Sequence, residues 1–164
     1  MATDDLYASL IQPIENRMIR SVWRILRDPG EVEDTFQDVL ATIWKRLDRI
    51  REHPNPHALV LRICADTARD ALRRKIRRGR REESLAVLTQ QAAKEDSAAQ
   101  AIGERERAAQ VLGAISQLPR RQAQTVLMRF VQELPYGDIA LAMGCSESTV
   151  RNPVSYTHLT LPTN

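Results

Sequence analysis

Cysteine is scarce in this chain: Cys64 and Cys145 are the only two among 164 residues, and there are three histidines. Both cysteines fall in stretches that read as amphipathic helix or turn, so neither a disulfide framework nor a metal site has enough ligands. We therefore expect no metal, no other cofactor and a reducing compartment.

Long apolar runs are also missing. No run approaches the roughly 20 residues that a membrane-spanning helix requires, and no N-terminal stretch resembles a signal peptide. We expect a cytoplasmic protein that is not inserted in a membrane.

Aromatic residues make up only 4% of the chain, while Ala, Arg, Leu and Glu are abundant. This composition favours helix, and 43% hydrophobic with 27% charged residues is a globular balance rather than a disordered one.

The first half of the sequence repeats apolar residues every three or four positions, as amphipathic helices do. The first run covers residues 6–26, where Pro13 is expected to break or kink the helix. A second helix is predicted over about 31–50 and a third from 57 to about 78. The apolar face predicted for the second helix consists of Val32, Phe36, Val39, Leu40, Ile43, Trp44 and Leu47.

The end of the third predicted helix is strongly basic, with eight Lys and Arg residues in the thirteen positions 69–81. Such a cluster suits a polyphosphate partner, because each neutralised phosphate releases counterions. The alternative is a solvated helix face, since cations near a helix C-terminus are also mildly stabilising.

A segment rich in Gln, Ala, Ser and Glu, residues 82–99, reads as a linker, and a second helical unit follows from about residue 100. Its helices are predicted to end at Leu118, to span 120–130 and to span 136–143. The inward residues predicted for the middle helix are Ala123, Val126, Leu127 and Phe130. The fold class is therefore all-α, with two helical modules, 1–81 and 100–152, joined by a linker.

A helix-turn-helix is predicted near the end of the second module. Ala140 is small where the helices would cross, Gly144 permits the turn, and Ser146 is a plausible N-cap for the last helix. Ile139, Met143 and Val150 would hold that helix down. The alternative is a helical hairpin within a core.

Several motifs, taken together, resemble a known family. Residues 144–151 (GCSESTVR), 118–123 (LPRRQA) and 136–140 (YGDIA) resemble region four of the extracytoplasmic-function (ECF) sigma factors of bacterial RNA polymerase. Residues 33–40 (EDTFQDVL) resemble their region 2.2, and residues 61–74 (LRICADTARDALRR) their regions 2.3 and 2.4.

The resemblance implies a non-enzymatic sigma factor that directs core polymerase to promoters and assists DNA melting. The implied contacts with the clamp helices of the polymerase β′ subunit are Asp34, Gln37 and Asp38. The implied contacts with the minus-ten element, whose unstacked bases would be captured, are Arg62, Asp66, Thr67, Arg69, Asp70, Arg73 and Arg74. The implied contacts with the minus-thirty-five element are Ser146, Glu147, Ser148, Thr149 and Arg151. The β flap and an anti-sigma factor are further implied partners.

One residue departs from the family pattern: Asp66 stands where the family usually has Asn. A carboxylate accepts from a base amino group but repels phosphate. Either the base preference differs or this position faces elsewhere.

The end of the chain departs further. Pro153 would interrupt the recognition helix after about two turns. Residues 154–163 look like one reading frame of a transposon-end adapter used in sequencing libraries. We expect native sequence to end at or just before Pro153, and residues 153–164 to be an artefactual tail on a truncated region four.

Two other readings stay open. A helix-turn-helix regulator acting without polymerase would need only the second module, and a polymerase or anti-sigma interaction protein would need no DNA contact. An enzyme is the least supported class, because the sequence has no Gly-rich phosphate loop and its histidines lie in loops or the tail.

Overall fold

The computed structural model describes residues 2–89 and 99–152, with side chains described for 3–85 and 103–152. Every regular element in those ranges is helical. The first half contains α1 (Ala2–Leu6), a π-helical turn (Tyr7–Ile11), a 3₁₀ turn (Gln12–Ile14), α2 (Glu15–Leu26), α3 (Pro29–Lys45), α4 (Leu47–Arg51) and α5 (Pro56–Thr89). The second half contains α6 (Ala99–Gln117), α7 (Arg120–Val126), a π-helical turn (Leu127–Val131), α8 (Tyr136–Met143) and α9 (Glu147–Arg151). The all-α prediction is confirmed.

The predicted interruption at Pro13 is present. Proline has no N–H to donate within a helix, and its ring crowds the carbonyl four residues earlier. The chain passes Pro13 in a π-helical turn followed by a 3₁₀ turn, and α2 begins only at Glu15.

Asp28 starts α3. Its side chain accepts from the backbone N–H of Gly30 at 3.0 Å and of Glu31 at 3.3 Å, and Pro29 occupies the first turn, where a missing N–H costs nothing. The helix ends at Lys45, so the single helix predicted over 31–50 is two helices that meet at Arg46.

The long helix α5 starts at a second cap, because Asn55 Oδ1 accepts from the backbone N–H of Ala58 at 3.0 Å. The helix was expected to end near Arg78 but continues to Thr89. Residues 80–89 lack proline and are mostly good helix formers, so the lone Gly79, at a cost of about 1 kcal/mol, does not stop the helix. Part of the predicted linker is thus helical, and its residues 90–98 lie outside the described ranges.

One core holds the described helices together, and α5 runs through its middle. Its buried residues include Met18 and Val22 of α2, Val39 of α3, and Val60 and Leu61 of α5. Burying an aliphatic side chain of this size contributes about 1.5–3 kcal/mol. Residues of the second half, such as Leu127, Met128, Leu134 and Ile139, belong to the same cluster.

The prediction that Phe130 points inward is wrong, since 71% of its surface is exposed. The π-helical turn is the cause: Gln132 donates its backbone N–H to the carbonyl of Leu127, five residues earlier. The extra residue shifts the helical phase, so the next buried side chain after Leu127 and Met128 is Gln132 instead of Phe130.

Gln132 joins the two halves of the chain. Its side-chain Nε2 donates to the carbonyl of Leu61 at 2.7 Å and approaches Ser21 Oγ at 3.4 Å, both buried. Its own carbonyl accepts from Arg17 Nη2 at 2.7 Å, while Arg24 Nη1 donates to the Val131 carbonyl at 3.0 Å. The modules predicted from the sequence therefore pack directly on each other.

We predict that Asp28→Ala lowers the thermal midpoint at neutral pH by about 2–4 °C, while Asp28→Asn, which keeps a capping oxygen, lowers it less. The hydrogen bond from the Glu31 amide holds the pKa of Asp28 below its ordinary value. The stabilisation is therefore present above the unfolded pKa of about 3.9 and is lost as pH falls through the folded pKa. Circular dichroism melts should show the gap between wild type and Asp28→Ala closing in acid; a constant gap would contradict this.

We predict that Gln132→Ala destabilises the fold by about 2 kcal/mol, because it removes buried hydrogen bonds between the halves and leaves a cavity. The matched control is Gln117→Ala at an exposed position of α6. Urea unfolding measures both. Equal, small losses for the two variants would show that the Gln132 contacts do not hold the halves together.

Candidate functional site

The three residues that the resemblance implies for polymerase docking share one exposed face of α3. Asp34, Gln37 and Asp38 lie three and four residues apart, so they share one side of the helix, and all three are exposed. Phe36 and Leu40 are partly buried against the core on the other side. The packing fixes the helix and leaves its polar face available to a partner.

Trp44 extends this face with an apolar group. Its side chain is 43% exposed, although the sequence placed it on the inward stripe. The spacing of the apolar residues indicates why Trp44 is exposed. Val32, Val39 and Ile43 follow the 3.6-residue period and are buried. Trp44 is the residue after Ile43, so its side chain is turned away from that buried face.

The seven minus-ten candidates all lie on α5, but they fall into two groups. Arg73 and Thr67 are partly buried and Arg74 is exposed. The other four have polar groups that meet the second half of the chain: Arg62, Asp66, Arg69 and Asp70.

Arg69 is buried, with 4% of its surface exposed, and its Nη2 donates to the Leu118 carbonyl at 2.7 Å. Arg62 is partly buried, and its Nη1 donates to the Ala142 carbonyl at 2.9 Å. Burial is the main reason that the pKa of each guanidinium is lowered. In this arrangement both arginines bind protein carbonyls.

Asp66 and Asp70 share one partner from the second half. Arg120 Nε lies 3.2 Å from Asp66 Oδ1, and Arg120 Nη2 donates to Asp70 Oδ2 at 3.0 Å. The residue that departs from the family pattern thus faces α7 here.

Part of the basic run on α5 has a structural role, as the solvated-face alternative suggested. Arg78 pairs with Glu31, and Lys75 donates to the Leu26 carbonyl at 3.4 Å and lies 3.7 Å from Asp28. Arg74 and Arg77 remain exposed.

Two basic residues that sequence reasoning missed lie on and beside α4. Arg46 and Arg49 line a cleft of about 400 Å³ with His53, Arg62 and Asp66. The available signal in the sequence was this pair of arginines, three positions apart, shortly before the loop to α5.

The helix-turn-helix is formed by α8 and α9. Gly144 turns the chain with φ of 65°, and Ser146 Oγ accepts from the Thr149 backbone N–H at 3.3 Å, so the predicted N-cap is confirmed. Among the minus-thirty-five candidates, Glu147 accepts from Arg151 Nε at 2.9 Å, and the Arg151 guanidinium lies 5.3 Å from the Tyr136 ring centre. Pro153 and the predicted tail lie outside the described residues.

Within residues 2–89 and 99–152, no group of three His, Cys, Asp or Glu side chains could hold a metal ion, and no helix is long and apolar enough to cross a membrane. Burial raises the pKa of the Cys64 thiol to about 12, which makes it a poor nucleophile.

Family models match both halves of the chain. A family model for Sigma-70 region 2 matches residues 10–78, and one for Sigma-70, region 4 matches residues 108–155. The chain is 24% identical over 151 residues to ECF RNA polymerase sigma factor SigK of Mycobacterium sp. (strain KMS), covering 90% of this chain and 77% of that protein. It is 27% identical over 154 residues to RNA polymerase sigma-H factor of Pseudomonas aeruginosa, covering 88% and 78%. With its two family regions in order on one helical fold, the chain belongs to the extracytoplasmic-function group of sigma-70 RNA polymerase sigma factors.

Proposed function

We propose that this sigma factor docks on core polymerase through the exposed face of α3 and captures the melted minus-ten strand with α5. The helices α7 to α9 would position the complex on the minus-thirty-five element. The observation that supports this division most is that one module presents an acidic helix face and a basic helix as separate surfaces.

The proposed docking face consists of Asp34, Gln37 and Asp38 and continues to Trp44. The β′ clamp helices are the proposed partner. An exposed tryptophan beside a charged face is a common form of energetic hot spot, because the ring buries a large area while the charges set orientation. The cost of ordering this face is low, because α3 is already fixed by the core.

The proposed minus-ten surface is the side of α5 that carries Arg62, Asp66, Thr67, Arg69 and Asp70, with Arg73 and Arg74 beyond them. Guanidinium groups neutralise phosphates and stack on unpaired bases, so they suit a separated strand. Arg46 and Arg49 border the same side through their cleft and join the proposed surface.

The proposed upstream contact is α9 with its cap, through Ser146, Glu147, Ser148, Thr149 and Arg151. A recognition helix reads a major groove mainly with its N-terminal residues, which are the ones described here. The β flap is the proposed polymerase partner of this module, and an anti-sigma factor the proposed regulator, with both acting inside the cell.

The sigma-70 family consists of non-enzymatic initiation factors, so bond formation is assigned to polymerase. We also propose that residues 153–164 are not native. A genomic read across position 153 that encodes the same tail would refute that part.

The experiment that tests the function is promoter-directed transcription in vitro with core polymerase. This chain is compared with a version whose recognition helix is extended from genomic sequence. We expect initiation from the extended form and little from this one. If neither form binds core, the sigma mechanism fails and action without polymerase would be favoured.

We predict that Asp34→Arg lowers the affinity for core polymerase by about tenfold, because a charge complementary to the partner is reversed. Asp48→Arg makes the same charge change at an exposed position of α4 and serves as the control. Biolayer interferometry with immobilised core measures both. Equal effects of the two substitutions would place the docking surface elsewhere.

A further inference from the structure

A groove lies between the end of α2, the middle of α5 and the middle of α6. Its volume is about 730 Å³, within the range of about 300–1,000 Å³ that is typical of small-molecule sites. None of the residues that line it is among the contacts proposed above for polymerase or DNA. The proposed function therefore does not account for this groove.

The floor of the groove is apolar. Three of its side chains are buried: Ile25, Leu26 and Leu112. Leu72 and Ile76 of α5 are only partly buried, and Trp23 of α2 lines the same groove with 45% of its surface exposed. An apolar ligand would remove this remaining surface from water, which is favourable in proportion to the area covered.

The charged residues that line the groove are all cations: Arg24, Arg27, Lys75 and Arg105. No carboxylate is found among its described lining residues. Arg27 and Arg105 are exposed, and neither forms an ion pair within the described ranges. Lys75 is held loosely, at 3.4 Å from the Leu26 carbonyl and 3.7 Å from Asp28. These cations, the rim of the groove, are therefore available to an anionic group.

An apolar floor with a cationic rim matches a ligand that has an alkyl chain and one acidic headgroup. A polyphosphate would pair with the rim, but its charges would lose water against the floor without compensation. An α-helix is about 10–12 Å in diameter, so two turns of one occupy about 1,000 Å³, which exceeds the volume of the groove. An alkyl chain is much narrower and can lie along the floor.

We propose that this groove binds a fatty acid, with the alkyl chain on the floor and the carboxylate at the rim. The walls come from both halves of the chain, so a bound fatty acid contacts the folded protein and not the unfolded one. Its binding therefore stabilises the fold. The sigma factor thus carries a site for a small metabolite in addition to its surfaces for macromolecules.

Trp23 is a built-in probe of the groove. The chain has two tryptophans, Trp23 and Trp44, and Trp44 does not line the groove. Trp44→Phe therefore leaves Trp23 as the reporter, and Trp23→Phe leaves Trp44 as the reference. Tryptophan emission is followed during titration with dodecanoate below its micelle concentration. Octanoate tests the chain length, and dodecyl maltoside tests the headgroup because it is neutral and has the same chain.

We expect dodecanoate to change the emission of the Trp44→Phe chain and to leave that of Trp23→Phe unchanged. Octanoate should bind more weakly by roughly tenfold or more, because each buried methylene strengthens binding by up to about fourfold. Dodecyl maltoside should bind about tenfold more weakly than dodecanoate, because it cannot pair with the rim. The thermal midpoint of the unsubstituted chain should rise by about 5–10 °C at a hundredfold excess of dodecanoate over Kd.

Two substitutions at exposed positions of α6 test the rim and the floor. In the Trp44→Phe background, Arg105→Glu should weaken dodecanoate binding by about five- to tenfold, because it places a like charge beside the carboxylate. Arg107→Glu makes the same charge change outside the groove and should have little effect. Ala109→Phe places a ring in the groove and should abolish binding. Circular dichroism melts check that each variant is folded.

Equal affinities for dodecanoate and dodecyl maltoside would overturn the proposal, and so would equal losses in Arg105→Glu and Arg107→Glu. A response from Trp44 and none from Trp23 would place the ligand elsewhere and refute it as well. Binding of an acidic amphipathic helical peptide but not of dodecanoate would assign the groove to a protein partner instead. These assays contain neither polymerase nor promoter, so their outcome is independent of the proposed function.

Discussion

The burial of α5 is the constraint on which the rest of this structure depends. Its inner side carries small or slender residues such as Cys64, Ala65 and Ala68, all completely buried. Small side chains let neighbouring helices approach closely, so α2, α3 and the second half pack around one axis. This packing fixes the orientation of α5. The polar side chains beside the small residues therefore each meet a defined partner.

The interface between the halves combines a buried cation with an apolar centre. Arg69 is nearly inaccessible and meets mainly a carbonyl, with Asp70 3.7 Å away. A buried cation with so little compensation contributes weakly to stability, because its desolvation offsets much of its bonding. Burial of the apolar side chains around Leu61 stabilises the contact between the halves more than this cation does.

Local features were predictable because neighbours in sequence determine them. Ser146 and Gly144 form the cap and turn that their residue types indicate, and Pro13 interrupts its helix. Phe130 was misplaced because a π-helical turn changes the phase, and no periodic pattern encodes that turn. The contact of Arg120 with Asp66 spans more than fifty positions of sequence, so only the folded chain reveals it. The approximate positions of the helices could thus be predicted from the sequence, but the packing of the second half against α5 could not.

The π-helical turn at Leu127–Val131 makes the length of this segment as important as its composition. Removal of one residue between Leu127 and Gln132 would place the two four positions apart, the spacing that an α-helix keeps on one face, so Gln132 could still reach the Leu61 carbonyl without the π-helical turn. An added residue would instead rotate Gln132 away from that carbonyl. The segment should therefore tolerate changes of side chain and the loss of one residue more readily than an insertion.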